Sequence, residues 1–392
     1  MNGPALTPLW WDAAPRDLVS DPLPRAVDVA VVRSGYTGLS VALRLAEGGA
    51  NVAVIDAWPL AAGASSRNFG LLGRQPIPGF ATLAKRLGLE LATWLYRVRN
   101  AAFAHVNGLI DHLGIVCDRR AAGRLILCAT PRHLDEQRHE HALRAAHFGH
   151  SHQVLDKAAL RAELGSTAFH GGIAVPEHLT LHPGKFSTSL VLAVSQAGAS
   201  LTGDTEVTAI DGQRGAFRLT CGRATVRAGE VVLATNGCTT GLVPDLRRRI
   251  VSSRALMLAT KPLLPEVIVQ ALPRGRTFHD TAHDMIYGRP SPRGTRLMFG
   301  GLTGEAHRSG PCRRGSARQA ARAVRASADG PCTVACLVRT VRRHLRSPAP
   351  SQPKRRAALC HGLQLWRGHA AWRLSGRQPW PDDPGRAGQP AF

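Results

Sequence analysis

The fold is decided by residues 28–57, DVAVVRSGYTGLSVALRLAEGGANVAVIDA. The continuous β-rich run at residues 27–32 is typical of a buried strand of a parallel sheet. Apolar residues then recur at helical spacing, Gly48 and Gly49 end that pattern, and residues 51–55 form a second β-rich run. The helical apolar residues are Leu39, Val41, Ala42, Leu45 and Ala46. The stretch therefore predicts a strand, a helix and a second, parallel strand.

The turn before the helix carries the chemical signal. Residues 33–38, RSGYTG, match the second and third glycines of the Gly-x-Gly-x-x-Gly pattern. Gly35 would let a pyrophosphate approach the backbone, and Gly38 would let the helix pack on the strand. Asp56 follows about 20 residues after the turn, where an acid binds a ribose hydroxyl, and the helix N-terminus offers free N–H groups to phosphate. The sequence therefore predicts a dinucleotide site.

Arg33 departs from this pattern, because it stands where the first glycine belongs. A side chain there costs about 1 kcal/mol or more if the backbone needs a glycine conformation. We expect Arg33 to weaken cofactor binding. The alternative is a guanidinium that points outward or pairs with the pyrophosphate.

The residues after Asp56 carry a family resemblance. The segment AWPLAAGASSRNFGLLGRQ, residues 57–75, resembles the D-amino-acid-oxidase-like family of FAD-dependent oxidoreductases, in the branch typified by gamma-glutamylputrescine oxidoreductase. In that family an acid ending the second strand binds the adenosine ribose, and a Gly-Ala-Ser-Ser-x-Arg-Asn-type loop wraps the pyrophosphate and reaches the flavin. The residues matching this loop are Ser65, Ser66, Arg67 and Asn68. Phe69 replaces the first glycine of the Gly-Gly pair that usually follows.

Three later segments extend the resemblance over roughly residues 8–304. Residues 181–210 resemble a His-Pro segment, a helix and an adenine-contacting strand; residues 228–242 resemble the strand beneath the cofactor; residues 285–304 resemble a substrate-domain hairpin. The resemblance implies FAD as cofactor and oxidation of a small-molecule amine or amino acid by hydride transfer to the flavin. The implied FAD-binding residues are Ser34, Gly35, Tyr36, Thr37, Gly38, Asp56, Ala57, Ser65, Ser66, Arg67, Asn68, Val207, Ala234 and Thr235.

No catalytic side chain is nominated, because the flavin supplies most of the chemistry. His182 and Tyr287 are polar residues near the implied substrate face, and for both an ordinary structural role is the better interpretation. No metal site is expected.

The expected fold class is α/β. A Rossmann-like FAD-binding domain is assembled from residues 25–85 and 155–245, after an N-terminal extension at 1–24. A substrate domain with an antiparallel sheet is inserted at residues 86–154 and 246–304, and an irregular tail follows at 305–392. Eight scattered cysteines, no long apolar run and no signal-peptide core favour a cytoplasmic protein without a membrane span.

The tail carries much of the formal net charge of +23. Residues 305–392 hold 17 of the 50 Lys and Arg residues but only 4 of the 27 Asp and Glu residues. Arg, Ala, Gly, Ser and Pro dominate there, and the family's closing His-Ala-Trp segment and Gly-Tyr-x-x-x-Gly-Val turn are missing from the written sequence. Codon choices exist for which the frame shifted by one base encodes the His-Ala-Trp segment across residues 335–352. In the same frame, residues 356–368 can encode a sequence close to the closing turn. We infer a frameshift between about codons 304 and 335.

Other interpretations of the chain stay open. The tail could supply zinc ligands, although the spacings match no common zinc finger. It could also form a basic arm for nonspecific nucleic-acid binding, through the runs RTVRRHLR and PKRRAAL. The candidate zinc ligands are Cys332, Cys336, His344, Cys360 and His361. The main alternative to an active enzyme is a non-catalytic remnant that binds FAD poorly.

The frameshift is testable by resequencing the gene from codon 25 to its stop codon. We expect the frame shifted by one base to encode the missing His-Ala-Trp and closing-turn segments. A restored frame, together with a glycine codon at position 33, identifies a sequence error, whereas an unchanged sequence identifies a lesion in the gene. Unrelated residues or stop codons in the shifted frame would contradict the inference.

Overall fold

The computed structural model describes residues 7–14, 17–74, 78–239, 241–248, 250–282 and 285–302, together with the backbone of 335–344 and 358–359. The remaining residues of the tail, and the expectations that concern them, lie outside the described residues.

Strands and helices alternate along the first half of the chain, and strands dominate the second half. The strands are β1 Ala26–Val32, β2 Val52–Ile55, β3 Leu71–Leu72, β4 Arg120–Ala121, β5 Arg124–Cys128, β6 Gln153–Leu155, β7 Gly171–Val175, β8 Leu179–Thr180, β9 Ser200–Thr202, β10 Ala209–Gln213, β11 Ala216–Cys221, β12 Ala224–Leu233, β13 Ile250–Ala259, β14 Thr277–Asp280, β15 Ile286–Pro290, β16 Leu297–Leu302, β17 Ala335–His344 and β18 Ala358–Leu359. The α-helices are α1 Tyr36–Glu47, α2 Phe80–Leu87, α3 Leu89–His112, α4 Pro131–Phe148, α5 Lys157–Arg161, α6 Pro183–Gln196, α7 Pro244–Arg248 and α8 Pro265–Ala271. Two short 3-10 helices lie at Leu9–Asp12 and Asn236–Cys238.

The first sheet contains the predicted strand–helix–strand unit. Its order is β10-β11-β12-β1-β2-β9, and β12, β1, β2 and β9 run parallel. β2 is buried throughout, β1 is buried from Val29 to Val32, and α1 packs with α6 over one face of the sheet. The prediction from residues 28–57 is confirmed, since parallel strands covered by helices require the apolar runs that the sequence shows.

The second sheet has the order β17-β13-β16-β15-β14-β5-β7-β6, and all its pairs are antiparallel except β14 with β5. The hairpin expected at residues 285–304 is present as β15 and β16, which pair antiparallel from Ile286 with Gly301 to Pro290 with Leu297. One face of this sheet packs on α5 and α8 through an apolar cluster that includes Leu125, Leu127 and Phe278.

A small third sheet lies between these two parts of the chain. Its order is β3-β8-β4, so Leu71 and Leu72 pair with the segment that leads into α6. Immediately after β8, Leu181 donates its N–H to the Gly70 oxygen and His182 donates to the Cys117 oxygen. These contacts fix the loop at residues 63–72 between the two large sheets.

The structure corrects two boundaries. Residues 153–155 and 171–175 pair in the second sheet, so the expected return to the nucleotide-binding part at residue 155 is too early. A short apolar stretch does not encode which sheet its strand joins. The expected irregular tail also differs from the structure at 335–344, which pairs with β13, and at 358–359, which pairs with β12.

The reason for the second difference is that an open strand edge offers regular backbone donors and acceptors to any extended segment. The register of β17 against β13 runs without a break from Ile250 with His344 to Ala259 with Ala335. Backbone pairing of this kind depends little on the side chains that the tail happens to carry.

We therefore expect the tail to protect the edge of β13. A chain ending at residue 304 lacks β17 and exposes the β13 edge, so it should self-associate more strongly than the full chain. Size-exclusion chromatography with light scattering measures this, and a chain ending at residue 361, which keeps both tail strands, is the control. Equal behaviour of the shortened and full chains would show that this pairing is dispensable.

Candidate functional site

The glycine turn places the first helix directly against the end of β1. A Cβ added to Gly38 would lie 2.0 Å from the Arg33 carbonyl oxygen and 3.3 Å from the Ala234 Cβ. Only a glycine permits this approach, because the nearest obstacle is backbone rather than a flexible side chain. The structure thus gives Gly38 the packing role that the sequence predicts.

The N-terminus of α1 opens at this turn. Gly35 is the N-cap residue and supplies no side-chain cap, while the Ser65 hydroxyl accepts a 3.0 Å hydrogen bond from the Tyr36 N–H. A Cβ on Gly35 would come within 3.3 Å of that hydroxyl oxygen. The N–H groups of a first helical turn have no partner inside the helix and favour an anion.

The loop at residues 63–72 folds over this helix end. The Asn68 side-chain amide donates to the Ser65 carbonyl oxygen at 2.5 Å and to the Tyr36 hydroxyl at 3.2 Å, and its oxygen accepts from the Gly70 N–H at 2.7 Å. Ser66 is buried, and its hydroxyl accepts from the Trp11 indole at 3.2 Å. The Asn68 hydrogen bonds therefore stabilise the conformation of the loop, and Trp11 of the N-terminal segment binds the loop through Ser66.

Asp56 lies at the end of β2 beside the turn, where the sequence predicts it. Its Oδ2 accepts from the Ser34 N–H at 2.8 Å and from the Ser34 hydroxyl at 2.6 Å. Its Oδ1 accepts from the Trp58 N–H at 3.1 Å and from the Arg33 guanidinium at 2.8 Å. Arg33 thus neither points outward nor sits free for a pyrophosphate; it pairs with the predicted ribose-binding acid.

His182 has a structural role at the start of α6. It is the N-cap residue of α6, and its Nδ1 accepts from the Lys185 N–H at 3.1 Å. Burial lowers the pKa of His182 to about 4, so the ring is neutral at pH 7. The Trp10 ring packs edge-on against it, with ring centroids 4.9 Å apart.

Tyr287 and Phe69 form the second aromatic contact near the loop. Their ring centroids are 4.8 Å apart in a T-shaped arrangement, and both side chains are buried in a cluster with Trp10 and Met298. The Tyr287 ring also covers Gly300, where an added Cβ would lie 2.1 Å from a ring carbon. Phe69, which replaces a family glycine, therefore fills space between the loop and the second sheet.

Arg289 is the polar residue that sequence reasoning missed. Its Nη1 donates to the carbonyl oxygens of Phe69, Gly70 and Leu181 at 3.1 to 3.2 Å. Burial lowers its pKa to about 9, which leaves the guanidinium charged at pH 7. Arg289 thus ties β15 to the loop, and nothing in the local sequence pattern signals these three distant partners.

The predicted site residues fall into two groups. The structure brings together, at the carboxyl ends of β1, β2 and β12, the residues Ser34, Gly35, Tyr36, Gly38, Asp56, Ser65, Asn68 and Ala234. The other predicted residues lie in the adjoining helix turn and loops. They are Thr37, Ala57, Ser66, Arg67, Val207 and Thr235, of which Val207 packs in the core with Ile55.

The geometry fits the ADP part of a dinucleotide, with one obstruction. Gly35 places no Cβ at the N-terminus of α1 and Gly38 lets that helix begin against β1, so the turn forms a cradle of the kind that a pyrophosphate requires. The Asp56 carboxylate stands beside that cradle, as a ribose requires, but the Arg33 guanidinium lies on it. The cradle fits the ADP part of the cofactor, and a ribose bound at Asp56 would require the Arg33 side chain to move.

Two other kinds of site find no support in the described part of the chain. No group of three or more His, Cys, Asp and Glu side chains there is arranged to hold a metal ion. Within the same residues, no helix combines the length and apolar character that a membrane span requires. The side chains of the tail cysteines and histidines considered as zinc ligands lie outside the described residues.

Comparison with known protein families identifies the fold. The family model DAO, FAD dependent oxidoreductase, matches residues 28–360. The match covers most of the chain, so the chain belongs to this family, and the resemblance inferred from the sequence is confirmed. FAD is the cofactor of the family.

Two curated relatives show similarity over about seven tenths of the chain. The probable oxidoreductase OrdL of Rhizobium meliloti is 30% identical over 280 residues, which cover 71% of this chain and 64% of that protein. Gamma-glutamylputrescine oxidoreductase of Escherichia coli is 27% identical over 292 residues, covering 74% of this chain and 67% of that protein. The chain thus spans about two thirds of the length of these relatives.

Solved structures share the fold at low sequence identity. Glycine oxidase from Geobacillus kaustophilus superposes with a TM-score of 0.65 at 20% identity, over 86% of this chain and 88% of that one. Iminodiacetate oxidase from Chelativorans superposes with a TM-score of 0.63 at 17% identity, over 81% and 83% of the two chains. These likenesses establish the architecture.

We predict that Gly38→Ala destabilises the protein, because the new Cβ must push α1 away from the Arg33 carbonyl. Overpacking of this kind costs about 1–3 kcal/mol in free energy of unfolding, measured by thermal or denaturant unfolding. The matched control is Gly108→Ala in α3, where an added Cβ meets nothing within 4 Å. That substitution should instead stabilise by about 0.5–1 kcal/mol through helix propensity. Equal effects at both positions would contradict the assigned packing role.

Proposed function

We propose that this chain is a FAD-dependent oxidoreductase that oxidises a small-molecule amine or amino acid. The observation that carries the proposal is the cradle formed by Gly35, Gly38 and the N-terminus of α1 beside Asp56, in a chain that belongs to a FAD-dependent family. When bound, FAD supplies the hydride acceptor. The substrate would give up a hydride from the carbon next to nitrogen while the nitrogen lone pair closes a C=N bond and a proton is lost from nitrogen, and water would then hydrolyse that bond to a carbonyl product and ammonia or an amine.

The residues proposed to hold FAD form groups according to the part of the cofactor that each would contact. Gly35, Tyr36, Thr37 and Gly38 offer the helix N-terminus to the pyrophosphate, and Asp56 offers its carboxylate to the ribose. Val207 and Ala57 border the adenosine end. The loop residues Ser65, Ser66, Arg67 and Asn68, with Ser34, Ala234 and Thr235 at the strand ends, complete the proposed set.

The substrate is proposed to bind on the face of the second sheet that meets the loop at residues 63–72. Tyr287 and Arg289 lie on that face, and Arg289 holds the loop carbonyls at Phe69 and Gly70. The Arg289 guanidinium, still charged at pH 7, also gives this region a positive potential. The role proposed for these two residues is to shape the site and to fix the loop, so we assign no proton transfer to either.

A cytoplasmic location forms part of the same proposal. Cys117, Cys128, Cys221 and Cys238 are free thiols, and the first three are buried. Reduced cysteines of this kind are usual in a reducing compartment.

A non-catalytic remnant is the second candidate, and two observations on Arg33 favour it. The Arg33 guanidinium pairs with the Asp56 carboxylate that the ribose would need, and the Arg33 backbone has a φ of 91°, which favours glycine. A chain that cannot release this contact would fold without retaining the cofactor.

Anaerobic titration of the FAD-loaded protein tests the proposed reaction. A panel of amines that includes glycine, iminodiacetate and a gamma-glutamylated diamine is added, and loss of the oxidised flavin absorption band is followed. We expect at least one free amine to bleach the band, whereas its N-acetylated derivative should not, because the acylated nitrogen cannot form the C=N bond. Retained FAD that no compound reduces would contradict the activity, and absence of bound FAD would favour the remnant.

A further inference from the structure

Arg33 combines an unfavourable backbone with a well-placed side chain. Its φ of 91° lies in a region that residues with a Cβ seldom adopt. The backbone is held there by the 2.8 Å hydrogen bond from the Arg33 N–H to the Ile55 oxygen and by the approach of Gly38 to its carbonyl. A conformation of this kind persists only where the surrounding structure determines it.

The side chain is directed by this backbone onto two neighbours. Its Nη1 lies 2.8 Å from Asp56 Oδ1, and its Cζ stacks 4.0 Å from the centre of the Trp58 ring. The side chains of Arg33 and Asp56 are only 14% and 5% exposed. The ion pair is therefore shielded from solvent, where charge pairing and cation–π stacking are stronger than on an open surface.

Three of the four donors on Asp56 belong to the rigid framework. The Ser34 N–H and the Trp58 N–H are backbone groups, and the Ser34 hydroxyl is fixed because it also accepts from the Ala61 N–H at 2.9 Å. The Arg33 guanidinium is the one long, rotatable donor of the four. A carboxylate has about four acceptor positions, so a ribose hydroxyl can gain a place on Asp56 by displacing Arg33.

We propose that Arg33 is a latch on the nucleotide site, which excludes the adenosine ribose when it is closed on Asp56 and admits FAD when it swings away. The inference rests on the proposed function, since it takes Asp56 as the ribose-binding acid. When the latch opens, Asp56 loses the charged Arg33 donor and gains neutral ribose hydroxyls, and the Arg33 guanidinium loses its stack on Trp58. Binding of FAD is weakened by this exchange, whereas a flavin without adenosine has no need to open the latch.

Arg33→Ala isolates the latch from the backbone strain. Alanine keeps the Cβ, and therefore the strain, but removes the guanidinium; Asp56 retains its three framework donors, so the variant is expected to fold. Arg33→Gly removes both the guanidinium and the strain, and it serves as the second variant. Arg44→Ala is the matched control, because it removes an arginine–carboxylate pair with Glu47 on the exposed side of the neighbouring helix.

The measurement is the dissociation constant of FAD for the unliganded protein, followed by flavin fluorescence, with FMN as a second probe. We expect Arg33→Ala to bind FAD about tenfold more tightly than the unaltered chain, since a hydrogen bond to a charged group no longer has to be broken. Arg33→Gly should bind at least as tightly, Arg44→Ala should match the unaltered chain, and FMN affinity should be the same in all four proteins.

The outcomes separate the latch from the proposed function. FAD affinity that is equal or lower in Arg33→Ala and in Arg33→Gly overturns the latch and leaves FAD binding intact. An equal gain for FMN also overturns it, because the effect would not involve the adenosine end. Failure of all variants to bind FAD overturns the latch and the proposed function together.

Discussion

The close approach of Gly38 to the Arg33 carbonyl oxygen constrains the whole nucleotide turn. Because no Cβ stands between them, α1 begins directly against the end of β1 and its first-turn N–H groups face the turn. The Ser65 hydroxyl accepts from the Tyr36 N–H at the same helix end, which ties the loop at residues 63–72 to the turn. A larger residue at position 38 would move the helix, the loop and the anion site together.

The Asp56 carboxylate performs a structural task at the same point. Its backbone continues the sheet, since the Asp56 N–H donates to the Thr202 oxygen and the Thr205 N–H donates to the Asp56 oxygen. Its side chain holds the turn through Ser34. A carboxylate that is nearly buried needs donors in the absence of ligand, and here the chain supplies them all. Ribose binding by Asp56, as proposed, would therefore compete with these structural hydrogen bonds for the same carboxylate oxygens.

The sequence predicts the local elements well and the distant contacts poorly. Residues 28–57 predict β1, α1 and β2 because burial leaves β-rich runs in the strands and apolar residues at helical spacing in the helix, and both patterns are visible in a short stretch of sequence. The assignment of β7 to the second sheet and the pairing of β17 with β13 depend on backbone edges that no side-chain pattern records. Arg289 was missed for a related reason: its partners lie 108 to 220 residues away and are carbonyl oxygens, which every residue possesses. Position 33 was recognised as anomalous, but the direction of its side chain follows from a positive φ that only the structure shows.

Arg33 shifts the balance between the ligand-free and the FAD-bound states, whatever the origin of the residue. In the proposed latch its backbone strain, on the order of 1–3 kcal/mol, is common to both states, because the contacts with Gly38 and Ile55 do not involve the side chain that moves. The ion pair with Asp56 and the stack on Trp58 offset that strain only while the latch is closed. The FAD-bound state therefore keeps the strain and loses the compensation. A ligand stabilises the fold according to its concentration relative to its dissociation constant, so an arginine at this position raises the FAD concentration at which the site fills and makes occupancy depend on cofactor supply.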